Sequence, residues 1–301
     1  MNDNDKEVIT GNFPPGESLN DKVILCTGGT GSLGTELINQ VNNFFKPKKF
    51  IVYSRDELKQ SQLATKYRHI PWLRFFIGDV RDKERLTWAC QGVDYVIHAA
   101  AMKRIETCEY APLEAIKTNI MGSANVVQAS LDNDVKRAVL VSTDKVPDAR
   151  NLYGATKFAA ERLFLAANVY NRTQFRFIRY GNVLGSRGSV AELFMKLKSE
   201  GVKEFPITHK DCTRFWITIE QAAQAVITIV SAPANFPPIY IPKLPSMKIT
   251  DLARAIDPGC EFRYIGLKNG EKIHEKLCDN YTSDKNDWWL TAADVRKTLK
   301  L

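Results

Sequence analysis

The chain has 301 residues but only four histidines, none at metal-ligand spacing, and no C-x-x-C pair. Its cysteines, Cys26, Cys90, Cys108, Cys212, Cys260 and Cys278, are scattered. No metal site is expected, and the thiols read as buried or indifferent groups of a reducing cytoplasm. No apolar run approaches the ~20 residues of a membrane helix. The N-terminus, Met1-Asn2-Asp3-Asn4-Asp5, is polar and acidic, so neither a signal peptide nor a membrane anchor is expected. Acidic residues are also short: 34 Asp and Glu stand against 42 Lys and Arg, a net charge of +8. That surplus admits a nucleic acid or a small anionic ligand such as a nucleotide. Lys46-Pro47-Lys48-Lys49 is too short, and too poor in aromatics, for a nucleic-acid patch, so no nucleic-acid partner is expected.

What is present is globular: 44% hydrophobic and 25% charged residues. Residues 1–20 are poor in apolar side chains and pass a Pro14-Pro15-Gly16 turn, so they read as a loosely attached tail. Short apolar runs then alternate with helical stretches. Val23–Thr27, Phe50–Tyr53, Phe75–Ile77, Tyr95–Ile97, Val139–Val141 and Phe175–Ile178 are the expected strands. This alternation predicts an α/β fold, a doubly wound parallel sheet of Rossmann type. After Tyr180 the alternation weakens. The expected division is a nucleotide-binding domain over 21–180, with 216–242 returning to it. A smaller discontinuous lobe is expected from 181–215 and 243–301.

Thr27 through Gly34 reads T-G-G-T-G-S-L-G between the first strand and the first helix. Gly28, Gly31 and Gly34 carry G-x-x-G-x-x-G spacing, and Thr30, Ser32 and Leu33 fill it. Glycine permits the tight turn and the close approach of backbone to phosphate, and the helix start offers N–H groups to a pyrophosphate. Ser54-Arg55-Asp56 ends the second strand. Ser54 and Arg55 suit a ribose 2′-phosphate and hence NADP, while Asp56 leaves NAD as the less favoured alternative. Asp79-Val80 ends the third strand, where Asp79 either accepts from an adenine amino group or caps a helix. Ala99, Ala100 and Ala101 would let a cofactor lie against the sheet edge, with Lys103 facing the cleft. His98 reads as packed or hydrogen-bonded rather than catalytic.

Tyr153 and Lys157 stand four residues apart, on one helix face. A lysine ammonium there is expected to draw the tyrosine pKa down from ~10 towards neutrality, giving an acid or base for carbinol oxidation. Thr143-Asp144-Lys145 ends the fifth strand. Thr143 can hold a substrate oxygen. Asp144 and Lys145 are equipment for a second proton transfer: a lysine crowded by the nicotinamidium charge can lose its proton and act as base, and an aspartic acid in a closed cleft can stay protonated and donate. The bland alternative is a surface pair or a helix cap.

Several further blocks occur in order: Tyr53–Gln60, Thr118–Gly122, Arg179–Val183, Ser186-Arg187-Gly188-Ser189, Thr213–Trp216 and Gly270–Glu275. Together with the motifs above they resemble the extended short-chain dehydrogenase/reductase family, and within it the soluble dehydratases that act on UDP-N-acetylglucosamine. The resemblance covers about Lys22 to Leu277. It implies oxidation at sugar C4 by a tightly bound, recycled NADP with Tyr153 as proton acceptor. Lys145 would then remove the C5 proton while Asp144 protonates the departing C6 hydroxyl. Hydride return to C6 gives a 4-keto-6-deoxy sugar, with C5 inverted. Tyr180, Asn182 and Val183 would join the cofactor site. Lys103, Asn182, Ser189, Val190, Arg214, Lys268, Glu271 and Glu275 would line the UDP-sugar site, with Arg214 on the diphosphate. Homo-oligomers are implied as well. The chain departs from the family where Lys268 and Asn269 replace an Arg and a Pro, and in the composition of Val146–Arg150. A 4-epimerase would need Tyr153 but not the Asp144–Lys145 pair. A non-catalytic cofactor sensor would need neither Tyr153 nor Lys157.

Overall fold

A computed structural model describes residues 8–10, 16–186 and 188–301. The Pro14-Pro15 pair and Arg187 lie outside the described residues. The strands are β1 (Val8–Thr10), β2 (Val23–Thr27), β3 (Lys49–Ser54), β4 (Leu73–Ile77), β5 (Tyr95–His98), β6 (Arg137–Val141), β7 (Gln174–Ile178), β8 (Asn182–Val183), β9 (Glu204–Ile207), β10 (Thr213–Ile217), β11 (Ile239–Pro242), β12 (Ser246–Lys248), β13 (Glu261–Tyr264), β14 (Lys276–Cys278) and β15 (Tyr281–Thr282). The α-helices are α1 (Ser32–Phe44), α2 (Glu57–Lys66), α3 (Lys83–Ala89), α4 (Ile105–Tyr110), α5 (Pro112–Ala115), α6 (Gly122–Asp132), α7 (Leu152–Ala167), α8 (Val190–Ser199), α9 (Ile219–Ser231), α10 (Ile249–Ile256) and α11 (Ala292–Leu299).

Eight strands form one sheet in the order β1-β11-β7-β6-β5-β2-β3-β4, and its neighbours pair in parallel. The order reverses between β2 and β5, and the crevice at the carboxyl ends of the strands there is where such sheets take ligands. Strand β2 is buried along its whole length, which is why it reads as an unbroken apolar run. Helix α1 turns Gly34, Leu37, Ile38 and Val41 to the core. The main core also takes in α9 and β11.

A second core joins Leu184, Phe194, Phe205, Trp216, Leu252 and Val295. Trp216 is thus core, whereas Trp288 and Trp289 are exposed. Two details differ from the sequence-based division. The stretch before residue 21 is not simply a loose tail: β1 pairs with β11, Leu19 is buried in the main core, and Glu17 accepts from Tyr95 and pairs with Lys136. Leu277, Cys278 and Tyr281 pack into the main core rather than with the lobe. Both follow from contacts between residues far apart in the chain, which local periodicity does not carry.

Candidate active site

A cleft of about 1690 Å³ runs along the carboxyl ends of the sheet and under the smaller lobe. All the cofactor, catalytic and substrate candidates named above line it. At one end, Gly28 takes φ of +67°, and a Cβ there would lie 2.8 Å from the Ala100 backbone. A Cβ on Gly34 would meet the Gly29 carbonyl at 2.3 Å, so only glycine lets α1 seat against the turn. Gly31 is the N-cap of α1, and no side chain caps that helix start. The Thr30 and Ser54 hydroxyls share a 2.9 Å hydrogen bond beneath the turn. A narrow glycine cradle at a helix start fits a dinucleotide pyrophosphate.

Further along, Asp56 is the N-cap of α2, accepting from Lys59 N–H at 3.0 Å and pairing with the Lys59 ammonium at 2.7 Å. Arg55 stands at the rim, its side chain 65% exposed, 3.7 Å from Asp79. Asp79 is not a helix cap, since Asp82 caps α3. Its carboxylate accepts from the Arg81 backbone and guanidinium, which helps hold it below the usual carboxylate range against the cost of burial. His98 is fully buried between Thr27 and Ser123 at 2.7 and 3.0 Å, and burial with Lys157 nearby pushes its pKa down to about 3.

The chemistry concentrates at the carboxyl end of β6. Thr143 donates to Asp144 Oδ1 at 3.0 Å and lowers the pKa of the neighbouring Tyr153. Lys145 Nζ lies 2.9 Å from Asp144 Oδ1, 3.4 Å from Glu275 and 3.5 Å from Asn182 Oδ1. Asp144 Oδ2 is buried without a hydrogen-bond partner. Burial raises the Asp144 pKa, and Glu275 adds to this, while Lys145 opposes it. Asp144 is buried and the Lys145 side chain is 18% exposed inside the cleft, so the two form neither a surface pair nor a cap.

At Lys145 burial works against the charge, but Asp144 and Glu275 outweigh it and raise the pKa. One expectation is corrected here: Lys157 does not draw Tyr153 towards neutrality. Burial pushes the phenol up to about 12, and the cation opposing this is Lys145, with the Thr143 hydrogen bond. Lys157, 2% exposed, is itself held down to about 8 by burial, with Glu161 working the other way.

Helix α7 starts where Asn151 accepts from Gly154 N–H at 2.9 Å, which sets the register of Tyr153 and Lys157. Glu161, one turn on, accepts from Ser142 and from Nε and Nη2 of the Arg179 guanidinium at 2.9 and 2.7 Å. A π-helical turn over Ile116–Met121 buries Asn119. Its amide bonds both backbone groups of Met102 and donates to Thr156, tying the loop after β5 to α7. Neither Asn119 nor Glu161 was singled out individually in the sequence. The signals were there: Asn119 lies in the Thr118–Gly122 block, and Glu161 sits four residues beyond Lys157.

On the lobe side, Arg214 donates to the Thr213 and Ile273 carbonyls and meets Glu271 at 2.8 Å and Glu275 at 3.9 Å. Lys268 reaches across the mouth to Glu106 at 2.8 Å. Ser189 caps α8, which begins at Val190.

The profile of a family described as polysaccharide biosynthesis protein matches residues 24–291. The chain belongs to this family. It is 52% identical over 265 residues to the inverting UDP-N-acetylglucosamine 4,6-dehydratase of Campylobacter jejuni, covering 85% of this chain and 77% of that one. It is 38% identical to a UDP-glucose 4-epimerase of Rickettsia bellii, at the same coverage of 85% and 77%. The X-ray structure of Pen from Bacillus thuringiensis superposes with a TM-score of 0.87 at 32% identity, over 94% of this chain and 98% of that one. As a member of this family, the chain carries the short-chain dehydrogenase/reductase fold expected from its motifs.

Proposed function

We propose that this protein is an NADP-dependent dehydratase, a hydro-lyase, which converts UDP-N-acetylglucosamine to a 4-keto-6-deoxy sugar nucleotide with inversion at C5. The carrying observation is the buried Asp144–Lys145 pair beside Tyr153. Oxidation at C4 alone, as in epimerisation, has no use for it. The 52% identity to an enzyme of that name supports the same reading.

The bound dinucleotide supplies the oxidant at C4 and the hydride returned to C6. Tyr153 is the acceptor for the C4 hydroxyl proton, with Thr143 and the Lys145 ammonium favouring its ionised form. Once C4 is a ketone, the C5 proton is acidic. One proton shift across the 2.9 Å Lys145–Asp144 hydrogen bond turns the ion pair into an amine and a carboxylic acid. The burial that raises the Asp144 pKa favours that shift. Lys145 then takes the C5 proton while Asp144 gives its own to the C6 hydroxyl, which leaves as water. The ammonium and carboxylate are restored. As hydride returns to C6, C5 takes a proton on the face opposite Lys145, which inverts the centre, and Tyr153 gives up the C4 proton to solvent, so the net change is loss of one water.

NADP is preferred to NAD because Asp56 is committed to the α2 cap while Arg55 is presented at the rim. Arg55→Ala is expected to weaken NADP about tenfold or more and to leave NAD unchanged in fluorescence titration. Arg214, Lys103, Asn182, Ser189, Lys268 and Glu275 would hold the UDP-sugar. Exposed Tyr110, Leu113, Met121 and Phe158 support a homo-oligomer, which light scattering measures. Among the described residues no helix is long and apolar enough to cross a membrane. The free cysteines suit a reducing cytoplasm.

The test is product mass after incubation with UDP-N-acetylglucosamine and no added reductant. Loss of one water is expected, with inverted C5 by NMR. An unchanged mass with a galacto-configured sugar would establish the epimerase instead.

A further inference from the structure

Glu275 is 3% exposed, and three cations surround its carboxylate: Lys272 at 3.0 Å, Lys145 at 3.4 Å and Arg214 at 3.9 Å. Lys272 is buried too, and it stands behind the cleft wall rather than in it. Its ammonium donates to the Pro147 carbonyl at 2.9 Å, on the loop that follows Lys145. One side chain therefore ties the segment before β14 to the loop bearing the proton-transfer pair, and delivers a positive charge to Glu275.

Lys145 faces Asp144 on its own loop, Glu275 from the segment before β14, Arg214 from β10 and Tyr153 from α7. Two carboxylates against one amine would hold its proton firmly. Arg214 is largely occupied with Glu271 at 2.8 Å. The Glu275 carboxylate is thus left to be shared between Lys145 and Lys272. Resting on the reading of Lys145 as the C5 base, we infer that Lys272 is a positioning residue: it neutralises Glu275 from behind, so that Lys145 can hand its proton to Asp144 and become the base.

The sign follows. Without the Lys272 charge, Glu275 stays ionised through Lys145 and Arg214 and acts on Lys145 undivided. Lys145 then keeps its proton to higher pH; because the pair must hold one proton to work, it is the alkaline fall of kcat that moves upward, while on the plateau less of the pair reaches the amine-and-acid form.

The experiment compares wild type with Lys272→Met, Lys272→Gln and Lys272→Arg, reading kcat against pH and deuterium entry at C5 in heavy water. Met and Gln are expected to lose about tenfold in kcat and in C5 exchange at neutral pH. Their alkaline fall should shift upward by about one pH unit, so the loss shrinks in alkali. Arg should stay near wild type. Gln keeps a donor for Pro147 and carries the test if Met fails to fold. A loss uniform across pH, no loss, or an Arg variant no better than Gln would overturn the assignment and leave Lys272 a purely structural tie. If wild type itself releases no water from UDP-N-acetylglucosamine, it is the dehydratase reading that fails.

Discussion

Lys157 shows what a buried functional cation costs at the scale of one residue. Its pKa is about 8 in the folded chain, against ~10.4 for a free lysine. Between those values the unfolded chain binds more protons, so stability from this site rises with pH across that window and is absent below it. Lys157→Met is expected to stabilise the protein by about 2–3 kcal/mol at neutral pH in denaturant unfolding, and to abolish turnover. An equal or lower stability would show that the amine is better solvated than its 2% exposure implies. Asp144 is the complementary case, an acid whose proton is its function. Asp144→Asn should still let the sugar reduce the cofactor, seen as reduced-nicotinamide absorbance, while water loss falls about a hundredfold or more.

At the scale of elements, the Ser142–Glu161–Arg179 network locks β6, α7 and the end of β7 together. It is buried, so removing one partner strands a charge. Arg179→Met is expected to cost about 3–5 kcal/mol in denaturant unfolding. The double variant Glu161→Gln/Arg179→Met should cost clearly less than the sum of the single ones, because neither charge is then left alone. Much of this was legible beforehand. The six expected strands were visible because buried parallel strands are unbroken apolar runs. The glycine turn was visible because a Cβ cannot fit there. The π-helical turn at Ile116–Met121 was not visible, since one extra residue in a helix leaves its composition unchanged.

For the whole molecule, a net charge of +8 accompanies a cleft that takes two polyanions in the proposed reaction. Long-range attraction is then expected to speed encounter. Raising ionic strength from about 10 mM to about 150 mM shortens the Debye length from ~30 to ~8 Å. We expect kcat/KM for UDP-N-acetylglucosamine to fall severalfold across that range in steady-state assays, with kcat little changed. A salt-independent kcat/KM would confine the surplus to surfaces that play no part in capture.

The sequence by itself determined the parallel sheet, the glycine cradle and the identity of the reactive side chains, because period, spacing and functional groups are local properties. Tertiary structure decided their charge states. The Lys145 pKa is raised by Asp144 beside it and then by Glu275, which is 130 residues away in the chain and reaches it only in the folded state. Asp56 serves α2 because its carboxylate reaches the first turn of that helix. Lys272 enters the site only through contacts with Pro147 and Glu275. The energy of a charge depends on which other charges and how much solvent surround it, and that neighbourhood exists only once the chain has folded.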